Sequence, residues 1–346
     1  MDNKLNERVL WADYLRVLGT ISVIFLHISA NIVSQYGNIP SGFWWTGNIY
    51  DSAVRFCVPI FVMLTGALLL NEEVEISKFL KRRVIRVVLP LAFWSSIYIL
   101  KELAFISPNG SGMSAIKIAY QVYNLIAKGS AYHLWYVYMI VGIYLFIPII
   151  GKWVRNCSEK EILYFLFIWL FTLFLNQPLI QQFKINVDLT YFSGYLGYLI
   201  LGYYLSNKTF RNKIRVKYGA IFLIVAGISI TAVGTFMASK YKGEMNGALY
   251  GYLTPNVLLI SAGVFILFKV SNFGGLNYIF KFINKYSYGI YLVHVLVLFY
   301  MPALGLDKLL INPAYAIPLK TMVCLFISGI IVFLVNKLPL GKYISG

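Results

Sequence analysis

The sequence predicts an all-α integral membrane protein, a polytopic bundle of about ten transmembrane helices. The first observation is composition: 59% of the 346 residues are hydrophobic and 17% aromatic, whereas only 12% are charged. A soluble domain of this size does not need so much apolar surface, so lipid must solvate much of it. The second is that apolar runs of about 20 residues, enough to cross roughly 30 Å of hydrocarbon, recur along the chain. We therefore expect a single membrane domain over residues 1–346.

Ten segments are candidate spans, and short apolar runs such as 162–177 are the weakest of them. The first span has no clear small-residue cleavage site and many spans follow it, so we expect it to remain as a helix and not to be removed as a signal peptide. The ten predicted spans are 11–34, 50–70, 84–105, 132–151, 162–177, 190–206, 217–238, 251–269, 286–302 and 316–337.

The Lys and Arg residues, which give a formal net charge of +17, lie mostly in short loops. With a cytoplasmic N-terminus, twenty of them fall in inner segments and seven in outer loops. Because cytoplasmic loops are enriched in these residues, both termini are predicted to be cytoplasmic. Topology and contact with membrane lipids thus explain the charge, and no nucleic acid partner is expected. The expected location is the cell membrane, as a multi-pass protein of the bacterial plasma membrane.

Two other segments carry structural signals. The longest outer loop, 106–131, contains the amphipathic stretch AIKIAYQVYNLIAK, which we interpret as a short helix on the outer membrane surface. The sixth span contains small residues in SGYLGYLILG, which permit close helix contact within one chain or between chains of an oligomer.

The three cysteines have neither metal-ligand spacing nor a disulfide pattern, and no metal is expected.

Candidate functional residues are the ionisable groups within the spans, because such groups are costly in a bilayer. Arg16 and His27 are separated by eleven residues, which on an α-helix is about three turns plus 20° and roughly 16 Å of rise. They therefore share one face, and Asp13 lies one turn before Arg16 and can pair with it. The alternative is structural: Arg16 extends to the inner interface and His27 bonds a neighbouring helix.

Asp13 is also a candidate contact for a substrate, and so are three further residues. Arg55 follows Asp51 by four residues, so a structural ion pair and a site role are equally compatible with the spacing. His133 stands at the outer start of the fourth span, where it could contact an outside substrate. His294 lies in the middle of the ninth span, and taken alone a buried hydrogen bond is the favoured explanation.

Arg82, Arg83 and Arg86 lie at the inner mouth of the third span, with Arg83 and Arg86 about one helical turn apart. Side chains so placed could clamp the phosphates of a nucleotide-bearing donor. Positive-inside topology and anionic lipid binding are the alternatives.

The stretch WADYLRVLGTISVIFLHIS, with ten residues between Arg16 and His27, resembles the opening helix of the membrane family known as acyltransferase type three. The pair Arg83 and Arg86 and the segments HLWYVYMIVGIYL and SYGIYLVH also resemble family motifs, and they occur in the family's order. The resemblance therefore extends over nearly the whole chain. Family members without a soluble extension, like this sequence, resemble the surface-polysaccharide and common-antigen O-acetyltransferases.

This resemblance implies an acyl-CoA donor, such as acetyl-CoA, reached from the cytoplasm, and an acceptor hydroxyl on an extracytoplasmic or lipid-linked glycan. It also implies that His27 is the catalytic histidine, that Arg16 is its partner, and that Arg83 and Arg86 form a second required pair. An unperturbed imidazole pKa of about 6.5 suits His27 as a general base near neutral pH, and an acyl-histidine intermediate is equally compatible. The rival function is a secondary transporter or flippase, in which Asp13, Arg16, His27 and His294 line a polar path.

Overall fold

The computed structural model describes residues 2–106, 114–177, 194–305 and 312–346. Every regular element in these ranges is helical, as the sequence predicts, and three are short 3₁₀ turns. The α-helices are α1 Asp2–Val33, α2 Ser41–Val54, α3 Cys57–Leu69, α4 Ile76–Ile106, α5 Ala115–Lys128, α6 Trp135–Asn156, α7 Glu159–Leu175, α8 Leu196–Asn207, α9 Lys213–Lys242, α10 Pro255–Val270, α11 Tyr278–Tyr300, α12 Pro313–Lys337 and α13 Gly341–Ile344.

Eight helical segments among the described residues are long and apolar enough to cross a membrane, so the chain is a multi-pass membrane protein. They correspond to eight of the ten predicted spans. The other two predictions, 162–177 and 190–206, coincide with α7 and α8, which have 17 and 12 residues. Part of the 190–206 prediction lies outside the described residues. The count of ten and the cytoplasmic position of both termini therefore stay predictions.

The second span is longer than predicted, and it is broken. It extends over Ser41–Leu69 and consists of α2 and α3, which are separated at Arg55 and Phe56. The sequence prediction of 50–70 missed the first part because Ser41–Tyr50 is only moderately apolar. The polar side chains Asn48, Asp51 and Arg55 near the break form a cluster with Tyr250.

Residue contacts divide the chain into two compact units that interleave in sequence. Unit 1 contains Met1–Glu73, Ile147–Lys285 and Leu306–Val323, and unit 2 contains Val74–Phe146, Tyr286–Gly305 and Cys324–Gly346. No single cut of the sequence separates them, because each unit takes three segments of the chain. The prediction of one domain over residues 1–346 stays a prediction.

Glycines allow the closest helix contacts of unit 1. A methyl group on Gly66 of α3 would collide with the carbonyl of Leu199, and one on Gly202 of α8 would collide with the backbone of Met63. The backbones of α3 and α8 therefore touch directly, as small residues permit in membrane proteins. The small-residue stretch of the sixth span thus makes a close contact within this chain.

Helix α5 of unit 2 forms at the position of the amphipathic stretch. The Ser114 side chain caps its first turn by accepting a hydrogen bond from the backbone nitrogen of Lys117, at 3.4 Å. Ile116, Tyr120 and Tyr123 are all exposed on this helix. An exposed apolar surface of this kind fits the predicted position at the membrane surface.

Candidate active site

Arg16 and His27 lie on α1, which is unbroken between them. Because the helix is regular between them, the eleven-residue spacing places Arg16 and His27 on the same face of α1, as expected. Both side chains are half-buried. Helix α1 packs on α2, α3 and α10 within unit 1, so this helix is held by its neighbours and not by the bilayer alone.

The Arg16 guanidinium has two side-chain partners. Its Nη1 atom lies 3.1 Å from Oδ1 of Asp13, the ion pair that the spacing predicts, and it donates a 2.7 Å hydrogen bond to Oδ1 of Asn284. Both Arg16 and Asp13 keep part of their side chains accessible, at 29% and 17%. The alternative in which Arg16 simply extends to the interface does not account for the bond to Asn284.

Asn284 was missed by the sequence analysis. It is uncharged, it lies outside the predicted spans, and it stands 268 residues from Arg16. Its only signal is its place three residues before the SYGIYLVH segment of the resemblance.

Arg55 takes part in a buried polar cluster at the break between α2 and α3. Its Nη2 atom pairs with Asp51, which is fully buried, and its Nη1 atom donates a 3.2 Å hydrogen bond to the Tyr250 carbonyl. The guanidinium carbon also lies 4.1 Å from the centre of the Tyr250 ring. Asn48 joins the cluster by accepting a 2.6 Å hydrogen bond from the Tyr250 hydroxyl. Of the two interpretations that the sequence left open for Arg55, this geometry favours the structural ion pair.

Arg82 and Arg86 line a cavity of about 750 Å³ in unit 2, a volume within the range of about 300–1,000 Å³ typical of small-molecule sites. Arg83 is half-buried and does not line it. Arg82 and Arg86 point the same way because they are four residues apart. Within the part of the chain that the structure describes, neither of them has an acidic partner. Two guanidinium groups without counter-ions in one cavity form a site suited to an anion.

His133 and His294 belong to one buried cluster of unit 2, although 161 residues separate them. Their ring centres are 5.0 Å apart, and the exposed fractions are 2% for His133 and zero for His294. The Nδ1 atom of His294 lies 2.6 Å from the Tyr291 carbonyl, which is the buried hydrogen bond favoured for this residue. The Tyr291 hydroxyl in turn donates to the His133 carbonyl. Burial of His133 means that an outside substrate reaches it only if the surrounding side chains move.

A family model described as an acyltransferase domain, that of the acyltransferase 3 family, matches residues 9–335. No curated protein and no solved structure shows a significant match to the chain.

Proposed function

Because the chain belongs to the acyltransferase 3 family, we propose that it moves an acyl group, acetyl in the simplest case, from cytoplasmic acyl-CoA to a hydroxyl of an extracytoplasmic or lipid-linked glycan. The family supports membrane acyltransferase activity in general. The observation that carries the choice of donor is the cavity lined by Arg82 and Arg86. Acyl-CoA carries a diphosphate, and guanidinium groups bind phosphate oxygens through charge-assisted hydrogen bonds.

We assign the chemical step to His27. Neutral imidazole takes the proton of the acceptor hydroxyl while the oxygen attacks the thioester carbonyl. The carbon–sulfur bond then breaks, the sulfur leaves with its electron pair, and the proton passes from His27 to the thiolate to give free CoA. A route through an acyl-histidine has the same overall balance, because the acceptor hydroxyl then displaces the imidazole from the acyl group.

We propose that Arg16 either binds the acyl donor or stabilises the oxyanion that develops on the thioester carbonyl. Its position roughly 16 Å along the helix from His27 favours contact with the donor. Asp13 and Asn284 then orient the guanidinium, because both accept hydrogen bonds from the same nitrogen. The proposed setting is the bacterial plasma membrane, where cytoplasmic acyl-CoA and an envelope glycan are available on opposite sides.

Donor binding tests the proposal. We expect purified protein in lipid nanodiscs to bind acetyl-CoA and to release free CoA when an acceptor glycan is added. Arg86→Met should weaken acetyl-CoA binding about tenfold, since it removes a charged hydrogen-bond donor. Arg211→Met is the matched control, because Arg211 is an exposed arginine that does not line the cavity.

Two results would overturn the proposal. Wild-type protein that binds no acetyl-CoA, or Arg86→Met protein that binds it as tightly as wild type, would remove the donor assignment. A transporter would move substrate without breaking the thioester, so the appearance of free CoA separates the two functions.

A further inference from the structure

The last residues of the chain are fixed in place within unit 2. The backbone enters the left-handed region at Leu340, with φ of 61°, and turns into the short helix α13. A methyl group on Gly341 would collide with the Val335 carbonyl, so only glycine allows this approach. Ser345 is fully buried and accepts a 2.8 Å hydrogen bond from the Asn336 side chain.

A second contact holds the same segment from the other side. A methyl group on Gly289 of α11 would collide with the Ser345 carbonyl. Helix α13 also packs against α4. The segment 341–346 is therefore held by α4, α11 and the end of α12, and its exposed side chains have defined positions.

This placement brings Lys342 and Tyr343 to the same cavity as Arg82 and Arg86. The cations of the cavity come from two elements: Lys342 from α13, and the remainder from α4, namely Lys78, Lys81, Arg82 and Arg86. Lys78 is paired with Glu75 at 2.6 Å. No acidic side chain lines the cavity among the described residues. A cavity with cations on two separate helices, α4 and α13, suits a ligand with two separate anionic groups.

We propose that Lys342 and Tyr343 bind the nucleotide end of the donor, with Lys342 on the 3′-phosphate that CoA carries in addition to its diphosphate. The inference rests on the proposed function and deepens it. Arg82 and Arg86 hold the diphosphate. Tyr343 is half exposed and its ring centre lies 5.0 Å from the Lys342 ammonium, so it offers an aromatic face to the adenine base beside that cation. Both residues lie beyond residue 335, where the family match ends.

An anionic lipid is the other source of phosphate at an inner membrane surface. A phospholipid headgroup such as phosphatidylglycerol carries one phosphate and no aromatic base, so it does not use the aromatic ring of Tyr343. The test therefore compares two nucleotides in two kinds of membrane.

The experiment measures the binding of CoA and of 3′-dephospho-CoA to the full chain in nanodiscs of phosphatidylcholine alone, and of phosphatidylcholine with phosphatidylglycerol. We expect wild type to bind CoA roughly tenfold more tightly than 3′-dephospho-CoA, as loss of one charged contact predicts. Lys342→Met should bind the two alike, by losing affinity for CoA only. The matched control is Lys337→Met, since Lys337 lies over the Phe333 ring, 5.3 Å from its centre, and does not line the cavity.

The proposal is overturned if Lys342→Met keeps the wild-type preference for CoA. It is also overturned if wild type binds both nucleotides equally while Lys342→Met changes only phosphatidylglycerol retention, because the site then belongs to a lipid. A different result would show that the proposed function itself is wrong: wild-type protein would then bind neither CoA nor 3′-dephospho-CoA in either membrane. The thermal unfolding midpoint of each variant shows whether it is folded. Tyr343→Leu tests the adenine contact separately, because it should weaken the binding of CoA and of 3′-dephospho-CoA by the same factor.

Discussion

Arg16 and Asn284 are joined by a 2.7 Å hydrogen bond from Nη1 to Oδ1, although 268 residues separate them in the chain. The bond ties the N-terminal half of α1 to the first part of α11. With Asp13 on the other side, the guanidinium is held by one charged and one neutral acceptor. Two acceptors therefore orient the Arg16 guanidinium, as the role proposed for it requires.

Asn284 is predicted to be a positioning residue. Asn284→Ala should lower kcat/KM for acyl transfer about tenfold, because Arg16 loses one of its two fixed acceptors. Asn284→Asp should recover most of the loss, since a carboxylate accepts the same hydrogen bond. Steady-state assays of both variants in nanodiscs measure this. Equal loss in Asn284→Ala and Asn284→Asp would show that the amide has another role.

The local part of this site was predictable from the sequence, and the tertiary part was not. Asp13, Arg16 and His27 are related by helix periodicity alone, so their arrangement on α1 follows once the segment is helical. Asn284 and Lys342 meet their partners only through packing between distant segments, and no local spacing encodes such contacts. For the same reason, the sequence could not show that His133 and His294 meet.

The buried pair of Asp51 and Arg55 is predicted to stabilise unit 1. Asp51→Asn leaves the Arg55 charge buried without its counter-ion, so it should lower the free energy of unfolding by about 3–5 kcal/mol. Thermal or denaturant unfolding in detergent measures the change.

The variant Arg55→Met distinguishes the two interpretations of Arg55. If the pair is structural, Arg55→Met protein that remains folded at low temperature keeps the wild-type KM for the acceptor. The exposed pair of Glu159 and Lys208 is the control, and Glu159→Gln should not shift the unfolding midpoint. A raised acceptor KM without any loss of stability would instead place Arg55 in the substrate site.

The direct backbone contact of α3 and α8 is predicted to tolerate no side chain. Gly202→Ala should destabilise the protein by several kcal/mol, because its methyl group would overlap the backbone of Met63. Gly219→Ala is the matched control, since it also lies in a helix and its methyl group would meet no other atom within 4 Å. Equal unfolding midpoints for the two variants would contradict the close contact.

The spans were predicted well where the apolar runs are long, and less well where polar residues interrupt them. The sequence located the tenth predicted span, 316–337, to within three residues of Pro313–Lys337 from hydropathy alone. It shortened the second span because the segment 41–49 contains polar residues such as Thr46 and Asn48. The polar groups near the break are tolerated because Asp51 pairs with Arg55, and because Asn48 and Arg55 bond to Tyr250, a compensation that hydropathy cannot show.

The rate of acetyl transfer from labelled acetyl-CoA, measured in proteoliposomes for wild type and His27→Ala, tests the central claim most directly. We expect wild type to release CoA and label the acceptor glycan, and His27→Ala to be slower by at least about a hundredfold, as loss of a general base predicts. Ser29→Ala is the control on the same helix, because it removes only a hydrogen bond to the Phe25 carbonyl. Transfer by folded His27→Ala protein at the wild-type rate would contradict the assignment of the chemistry to α1.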